Sequence, residues 1–541
     1  MSNSKLLSLT VERFKSFEAP TRVDFAPLTI ILGRNNCGKS SLIQSMLLLK
    51  QTLNDPRPDV MLRLEGVVEA FNLRELTFGW PPSADVVVGP CISFEWESEV
   101  DMNVALEKAG SPDLDEVARN STVDWLVGHL QKEVLQTKLT LHTKEVRGVT
   151  HVNEILLWSE RASESDRRNV LNSTEDPLVS FVNSEEGWKC YWRGKMANKL
   201  EVELQHFIPF LLIDRRNIGP RSRQRSWHNA FLMLFEQPLV GLTLILSDLH
   251  FLGSSRQPPP TLYKAATAAP NEVGVSGELA AQLLHRRQQD LVHFLPPLEI
   301  AEDGTLNVSN LVRVRSMVNA VNEVMTALSI SAPINIQEIQ EVGFRLMFGE
   351  ASLMHVGRGL NSLLPLVELG LIADPLRFTG STDEMSLHQY ETLCQSFSHI
   401  ALEEPEAHLH PKVASRLAHW FVSLAMTKRR LIVETHSDHL VRRLRGLAAR
   451  AGKRTRLERW LLENVAIVTV EQTEGRSTIT TSYLTAEGGV LERWPTDFMD
   501  EATDEESAIY YAKLDKAESQ PAPISGVKFE EGPEPEPGTP P

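Results

Sequence analysis

The sequence predicts an α/β fold organised on a parallel sheet, and three stretches predict it. Leu28-Thr29-Ile30-Ile31-Leu32 is a short β-branched apolar run of the kind that forms a strand buried on both faces. It leads through Gly33-Arg34-Asn35-Asn36-Cys37-Gly38-Lys39-Ser40 into an apolar-striped helical stretch, 41–50. Far downstream, His399-Ile400-Ala401-Leu402-Glu403-Glu404-Pro405 reads as a second strand, ending in paired carboxylates, and Arg430-Leu431-Ile432-Val433-Glu434-Thr435-His436-Ser437 as a third.

Residues 6–11 and 22–25 read as strands leading into the first of these. The loop that follows has the G-x-x-x-x-G-K-[ST] spacing of a phosphate-cradling P-loop. Its glycines let backbone N–H groups turn inward on phosphates, Lys39 supplies a point charge for the β and γ oxygens, and Ser40 offers its hydroxyl to Mg²⁺. The helix beyond adds its positive end. The residues assigned to ATP are therefore Gly33, Asn35, Asn36, Cys37, Gly38, Lys39, Ser40 and Ser41. For Cys37 two readings stand: a small residue at an unconstrained position, or a thiol whose pKa the lysine and the helix terminus depress.

Residues 86–96 read as another strand, and 101–345 as a mixed segment with helices near 117–136 and 311–328 and strands near 138–142 and 154–158. Pro258-Pro259-Pro260 marks a loop, and the absence of sustained heptads argues against a long coiled-coil arm. On the carboxylate strand, Glu403 is placed to hold the Mg²⁺ shell and Glu404 to orient or deprotonate an attacking water. His436 ends a strand in the crevice where open α/β sheets bind ligands, within reach of a γ-phosphate. The catalytic set is thus Glu404, His436 and Lys39, and the metal set Ser40 and Glu403. His408 and His410 lack a third and fourth ligand and read as ordinary surface or core residues.

At 541 residues the chain has room for a large core and, by size, for two to four domains. Apolar residues at 42% and charged ones at 23% describe an ordinary globular protein. With 55 Lys+Arg against 71 Asp+Glu the net charge is −16, so any nucleic-acid contact must be a local patch. Two candidate patches are Arg215, Arg216, Arg221, Arg223 and Arg225, and Arg442, Arg443, Arg445, Arg450, Lys453, Arg454 and Arg456; each also reads as a solvated face. Four scattered cysteines without C-x-x-C spacing, and no signal-peptide pattern, point to a reducing cytoplasm. The most apolar run, 239–246, is too short to cross a bilayer, so no membrane is expected. From about 519 the composition turns to Pro, Glu and Gly, an expected disordered tail.

Glu403-Glu404-Pro405-Glu406-Ala407-His408-Leu409-His410-Pro411, followed by Glu434-Thr435-His436-Ser437-Asp438, resembles the Walker B, D-loop and switch-histidine signatures of ABC/SMC-type ATPase heads. Within these it is similar to bacterial AAA-type ATPases related to the overcoming-lysogenisation-defect (OLD) proteins, in a nuclease-free branch of unknown function. Weaker matches are Phe14-Lys15-Ser16-Phe17, Leu252-Gly253-Ser254-Ser255-Arg256, Val273-Gly274-Val275-Ser276-Gly277-Glu278 and Trp494-Pro495-Thr496-Asp497-Phe498. The resemblance runs from about 6 to 500 and is poor over 101–205.

It implies a discontinuous P-loop NTPase head: an N-terminal lobe 1–100, a mixed α+β insertion 101–340, a C-terminal lobe 341–498 and an acidic Pro-rich tail 499–541. It further implies a signature motif, Val356-Gly357-Arg358-Gly359-Leu360-Asn361-Ser362-Leu363-Leu364-Pro365, that reaches the nucleotide of the opposite protomer in a homodimer through Gly357, Gly359 and Asn361. Relatives usually carry Ser-Gln where this chain has Asn361-Ser362, so the hydroxyl on the γ-phosphate is replaced by an amide or shifted by one residue. Only a short segment without D-x-D follows His436, so no nuclease activity is expected in this chain. The implied role is the ATPase component of an anti-phage defence or DNA-processing complex with a separate effector protein. A RecF-like DNA-repair head and a nucleotide-dependent scaffold with little turnover remain as alternatives.

Overall fold

The computed structural model describes residues 3–490 apart from 111, 124–131, 163–175, 215, 217, 220, 341 and 378. Trp494 to Phe498, the tail, Arg215 and part of the 117–136 segment lie outside the described residues.

The nucleotide-loop strand Leu28–Gly33 is almost wholly apolar and buried along its length because both faces are covered, and the histidine strand Arg429–Glu434 is buried along its length too, with an apolar centre at Leu431, Ile432 and Val433. They belong to a six-stranded sheet in the order His250–Leu252, Ser398–Glu403, Arg429–Glu434, Leu28–Gly33, Val465–Thr473, Arg476–Tyr483. All neighbours run parallel except the last pair. The histidine strand therefore stands between the P-loop strand and the carboxylate strand. Register brings their ends to within two residues of level: Glu403 lies opposite Glu434, and Glu434 opposite Ile31. The loops beyond these strands thus emerge at one edge, where open α/β sheets bind ligands.

A second sheet of eight strands is antiparallel, in the order Thr21–Asp24, Ser4–Glu12, Val86–Asp101, Lys132–Val146, Val149–Arg161, Val179–Ser184, Gly187–Trp192, Lys195–Met196. The boundary expected between 100 and 101 is not a break in this fold. The long strand Val86–Asp101 reaches it while pairing with Ser4–Glu12 on one side and Lys132–Val146 on the other. The first part of the expected insertion instead extends the N-terminal sheet. Its core is continuous too: Leu9, Phe94 and Trp96 pack in one cluster with Met46 and Leu47 of the P-loop helix Lys39–Leu53.

Two expected helices are corrected. Among the described residues of 117–136, helix is confined to Leu114–Ser121, and residues from Lys132 join the antiparallel sheet, where neighbours on both sides override local preference. Within 311–328 the first six residues form the strand Leu311–Ser316, whose period-two pattern buries Val312 and Val314; the helix is Met317–Ala327.

The longest helical run, Arg223–Ser247, has 25 residues and includes a π segment at Leu232–Glu236. By length and composition it is apolar enough to cross a membrane, which 239–246 alone is not. Its apolarity is met inside the protein: Phe235, Leu239 and Leu242 are buried in the shared core, and Trp96 Nε1 donates to Pro238 O at 2.9 Å. All four cysteines are buried free thiols.

Beneath the parallel sheet lies a buried ionic group. Arg429 is 0% exposed and donates to Gly370 O, Thr427 Oγ1 and His293 O, with Asp374 Oδ1 at 3.7 Å. Asp374 also binds His293 Nδ1 at 2.9 Å and accepts from Tyr390 OH at 3.0 Å. Asp374→Ala strands a buried cation and is expected to lower stability by about 3–5 kcal/mol in urea denaturation. Half-buried His250 and buried His399, both enclosed by protein, are held down to about 3 by desolvation. Between their unfolded value near 6.5 and 3, the unfolded chain binds more protons, so stability falls with falling pH. Melting temperature should therefore drop progressively as pH goes from 7 to 4, and a His399→Gln variant should show a shallower slope.

Candidate functional site

The P-loop leaves its strand on a backbone that side chains resist. Gly33 has φ +151° and Gly38 φ +101°; a Cβ at Gly33 would lie 2.3 Å from Val470 O, and one at Gly38 2.3 Å from Ser16 Oγ. Asn36, between them, is also left-handed at φ 64°. The loop is braced from behind by its neighbours: Ser477 Oγ donates to Cys37 O at 2.6 Å, and Ser477 N to Ser16 O at 2.9 Å. Lys39 is buried, and its ammonium donates to Gly33 O at 3.0 Å and Arg34 O at 2.7 Å, which fixes it against the loop backbone. Burial lowers the Lys39 pKa, opposed by Cys37, Glu434 and Glu404. Cys37 does not have a depressed thiol: burial raises its pKa more than Lys39 lowers it.

Four carboxylates stand at the strand ends. Ser40 Oγ donates to Glu434 Oε1 at 2.8 Å, and burial pushes the Glu434 carboxyl up to about 7, with Glu403 adding to the shift. Glu403, raised by burial, accepts from Ser254 N at 3.4 Å, while Arg256 Nη2 donates to Glu403 O at 3.5 Å. Glu404 sits just past the strand in a left-handed conformation, φ 43°, with its N–H donated to Glu434 O at 2.8 Å. Such strain in a non-glycine residue persists only where surrounding bonds dictate it. Its Oε1 lies 3.9 Å from His436 Nε2. Glu406 ties the two loops together: its Oε1 accepts from Thr435 Oγ1 at 2.6 Å and from His436 N at 3.0 Å. Burial, then Lys39, lowers the His436 pKa.

Lys39, Ser40, Glu403, Glu404 and His436, spread over the sequence, thus converge at one edge. Glu434, Glu406, Lys15, Ser254 and Arg256 belong to the same group but carry no assigned role in the sequence reading. Lys15, hydrogen-bonded to Gln44 and with the charge of Glu403 as a neighbour, and Arg256, lowered to about 10 by burial in opposition to the nearby carboxylates, come from short segments without a spacing rule. His410 Nδ1 accepts from Lys412 N and caps a helix, and His408 is exposed.

The turn from Gly357 to Asn361 is not joined to this edge by any hydrogen bond or ion pair among the described residues. It opens the helix Arg358–Ile372. Gly357 is exposed with open space where a Cβ would stand, whereas one at Gly359 would lie 2.8 Å from His408 O. Ser362 Oγ is buried and donates to Arg358 O, so a hydroxyl shifted by one residue faces its own helix. The downstream basic stretch disperses: Arg442, Arg443 and Arg450 line an open cavity of about 510 Å³ with Lys412 and His439, while Arg456 pairs with Glu391 at 2.9 Å and Arg445 bonds Gly488 O.

The residues present fit a magnesium nucleotide. The loop takes left-handed backbone at Gly33, Asn36 and Gly38, as phosphate-cradling loops require, and Glu434 Oε2 is buried without a hydrogen-bond partner beside the Ser40 hydroxyl, a donor set of hard oxygens. Among the described residues no three His, Cys, Asp or Glu side chains form a metal cluster by themselves. Mg²⁺ commonly takes one or two carboxylates together with phosphate and water.

Residues 5–103 and 382–441 match the AAA ATPase domain. The match supports an ATP-binding ATPase, on the two segments that hold the P-loop, the paired carboxylates and His436. No curated protein sequence matches the chain. Similar solved structures include an SMC head bound to the C-winged helix domain of ScpA (11% identity, covering 88% of this chain and 98% of that one, TM-score 0.37). Others are the SMC head domain from Thermotoga maritima (11%, 88% and 98%, TM-score 0.32) and an SMC head with an extended coiled coil bound to the C-terminal domain of ScpA, derived from Pyrococcus furiosus (11%, 94% and 100%, TM-score 0.36). At these scores the likeness adds nothing to the strand order as a description of the fold.

Gly38→Ala is expected to cost about 1–3 kcal/mol through its left-handed backbone and the clash with Ser16, and to abolish nucleotide binding. Gly357→Ala, in open space, should leave the melting temperature unchanged.

Proposed function

We propose that the chain is an ATP-hydrolysing switch of the ABC/SMC type. The observation that carries this reading is the convergence of Lys39 and Ser40 with Glu404 and His436, which are nearly four hundred residues away in sequence, at one edge of a parallel sheet. Lys39 and the loop amides bind the phosphates, and Glu404, 3.9 Å from His436, takes the proton of the attacking water as general base. His436, its N–H accepted by Glu406, holds the γ-phosphate side of the site. Ser40, with a carboxylate from the strand ends, Glu403 in the sequence reading, would hold Mg²⁺, which would supply charge neutralisation at the phosphates.

In this reading the open Gly357 turn, with Gly359 and Asn361, serves the nucleotide of a second copy, so ATP holds a homodimer together. A charge-assisted hydrogen bond is worth about 1.5–3 kcal/mol, and losing two or three on hydrolysis shifts the dimer equilibrium by several orders of magnitude. We extend the proposal to kinship with OLD-type ATPases and to a cytoplasmic role as the ATPase component of an anti-phage defence or DNA-processing complex. The Glu403-Glu404-Pro405-Glu406 and Glu434-Thr435-His436-Ser437-Asp438 motifs support it. A scaffold with little turnover is the second reading, favoured by the inward-facing Ser362 hydroxyl.

Lys39→Ala should abolish ATP binding. Glu404→Gln should bind ATP, release phosphate about a hundredfold more slowly or worse, and run as a dimer in size exclusion with ATP. A Glu404→Gln protein that stays monomeric with ATP bound removes the clamp, and wild-type turnover in it removes Glu404 as the base. Near-zero turnover of the wild type selects the scaffold.

A further inference from the structure

A P-loop serine serves a cation through the lone pairs of its hydroxyl, so where its single proton goes decides whether those lone pairs are free. In this protein the proton goes to Glu434 Oε1, at 2.8 Å. Glu434 is 3% exposed, and its second oxygen, Oε2, is buried without a hydrogen-bond partner in the protein. A buried carboxylate oxygen left in that condition is costly unless a ligand supplies what the protein does not. Glu403, level with it on the next strand, is engaged elsewhere: its Oε2 accepts from Ser254 N at 3.4 Å.

Resting on the ATPase reading above, we propose that Glu434 is the protein carboxylate that builds the magnesium site. Its Oε1 holds the Ser40 hydroxyl in the orientation that turns lone pairs toward the cation, and its Oε2 serves the cation's hydration shell. Glu434 is thus a positioning residue, acting through Ser40. It stands two residues before His436, with Thr435 and His436 both bonded to Glu406, so the cation and the histidine share one short rigid segment.

The test is the affinity of a fluorescent ATP analogue with and without Mg²⁺ in the wild type, Glu434→Gln and Glu403→Gln, with electron paramagnetic resonance of Mn²⁺ as a second readout. Glu434→Gln should cut the enhancement of nucleotide affinity by Mg²⁺ about tenfold or more and weaken Mn²⁺ binding equally. Its metal-free affinity should be unchanged or tighter, because one negative charge near the phosphates is gone. Glu403→Gln should keep the enhancement. On a Ser40→Ala background Glu434→Gln should add no further loss, the non-additivity of groups acting as one unit. If Glu434→Gln fails to fold, Glu434→Asp, which keeps the charge and shortens the reach, should still lower the enhancement. Full Mg²⁺ enhancement in folded Glu434→Gln, or in Glu434→Asp where the former does not fold, overturns the proposal. A wild type without Mg²⁺-dependent nucleotide binding overturns the ATPase reading itself, a failure visible before any variant is compared.

Discussion

The constraint on which the site depends is the parallel register of three buried strands. Ser398–Glu403 and Arg429–Glu434 end level and Leu28–Gly33 runs two residues further, so that Glu403, Glu434 and Ile31 stand side by side just before the P-loop. A shift of one residue in the middle strand would turn Glu434 to the opposite face of the sheet and take Ser40 from its partner. That register is held by burial on both faces and, at the far end, by the Arg429–Asp374 cluster. Arg429, the first residue of the histidine strand, is tied to Gly370 and His293 from two other segments and to Thr427 just before it. A buried cation with so many fixed acceptors works as a peg: it has one low-energy position along the strand.

Much of this was legible in the sequence because the decisive elements are short, apolar at their centres and bounded by chemistry-bearing residues. The run 28–32 followed by the glycine spacing leaves little choice of conformation, and the run ending at Glu403-Glu404 has the same character. What was not legible is non-local. Nothing in the spacing of Ser40 and Glu434, 394 residues apart, says that they meet; only the pairing of the strands does. Arg256 and Ser254 reach Glu403 for the same reason, through the edge strand His250–Leu252. The segment 132–136 reads locally as helix, and becomes strand because both edges it bridges need a partner.

The antiparallel sheet also changes what a division at residue 100 means. Because Val86–Asp101 pairs on both sides, the segment after it, as far as Leu249, shares its core with the P-loop helix. Packed side chains join the outer strands to Met46 and Leu47, about two turns along the same helix from Lys39, and close-packed interiors deform little. The Glu406 bonds to Thr435 and His436 provide a second mechanical link, between the two loops that flank Glu404.

The staple behind the P-loop has a consequence for how the molecule is made. Ser477 fastens both the Cys37 carbonyl and the turn at Ser16, so the loop near the beginning of the polypeptide takes its brace from a strand near residue 480. During synthesis, which proceeds from the N-terminus, the loop around Lys39 lacks that brace until nearly the whole described chain has left the ribosome. Folding of the phosphate-binding loop is therefore a late event, and partial chains released early emerge without a finished one.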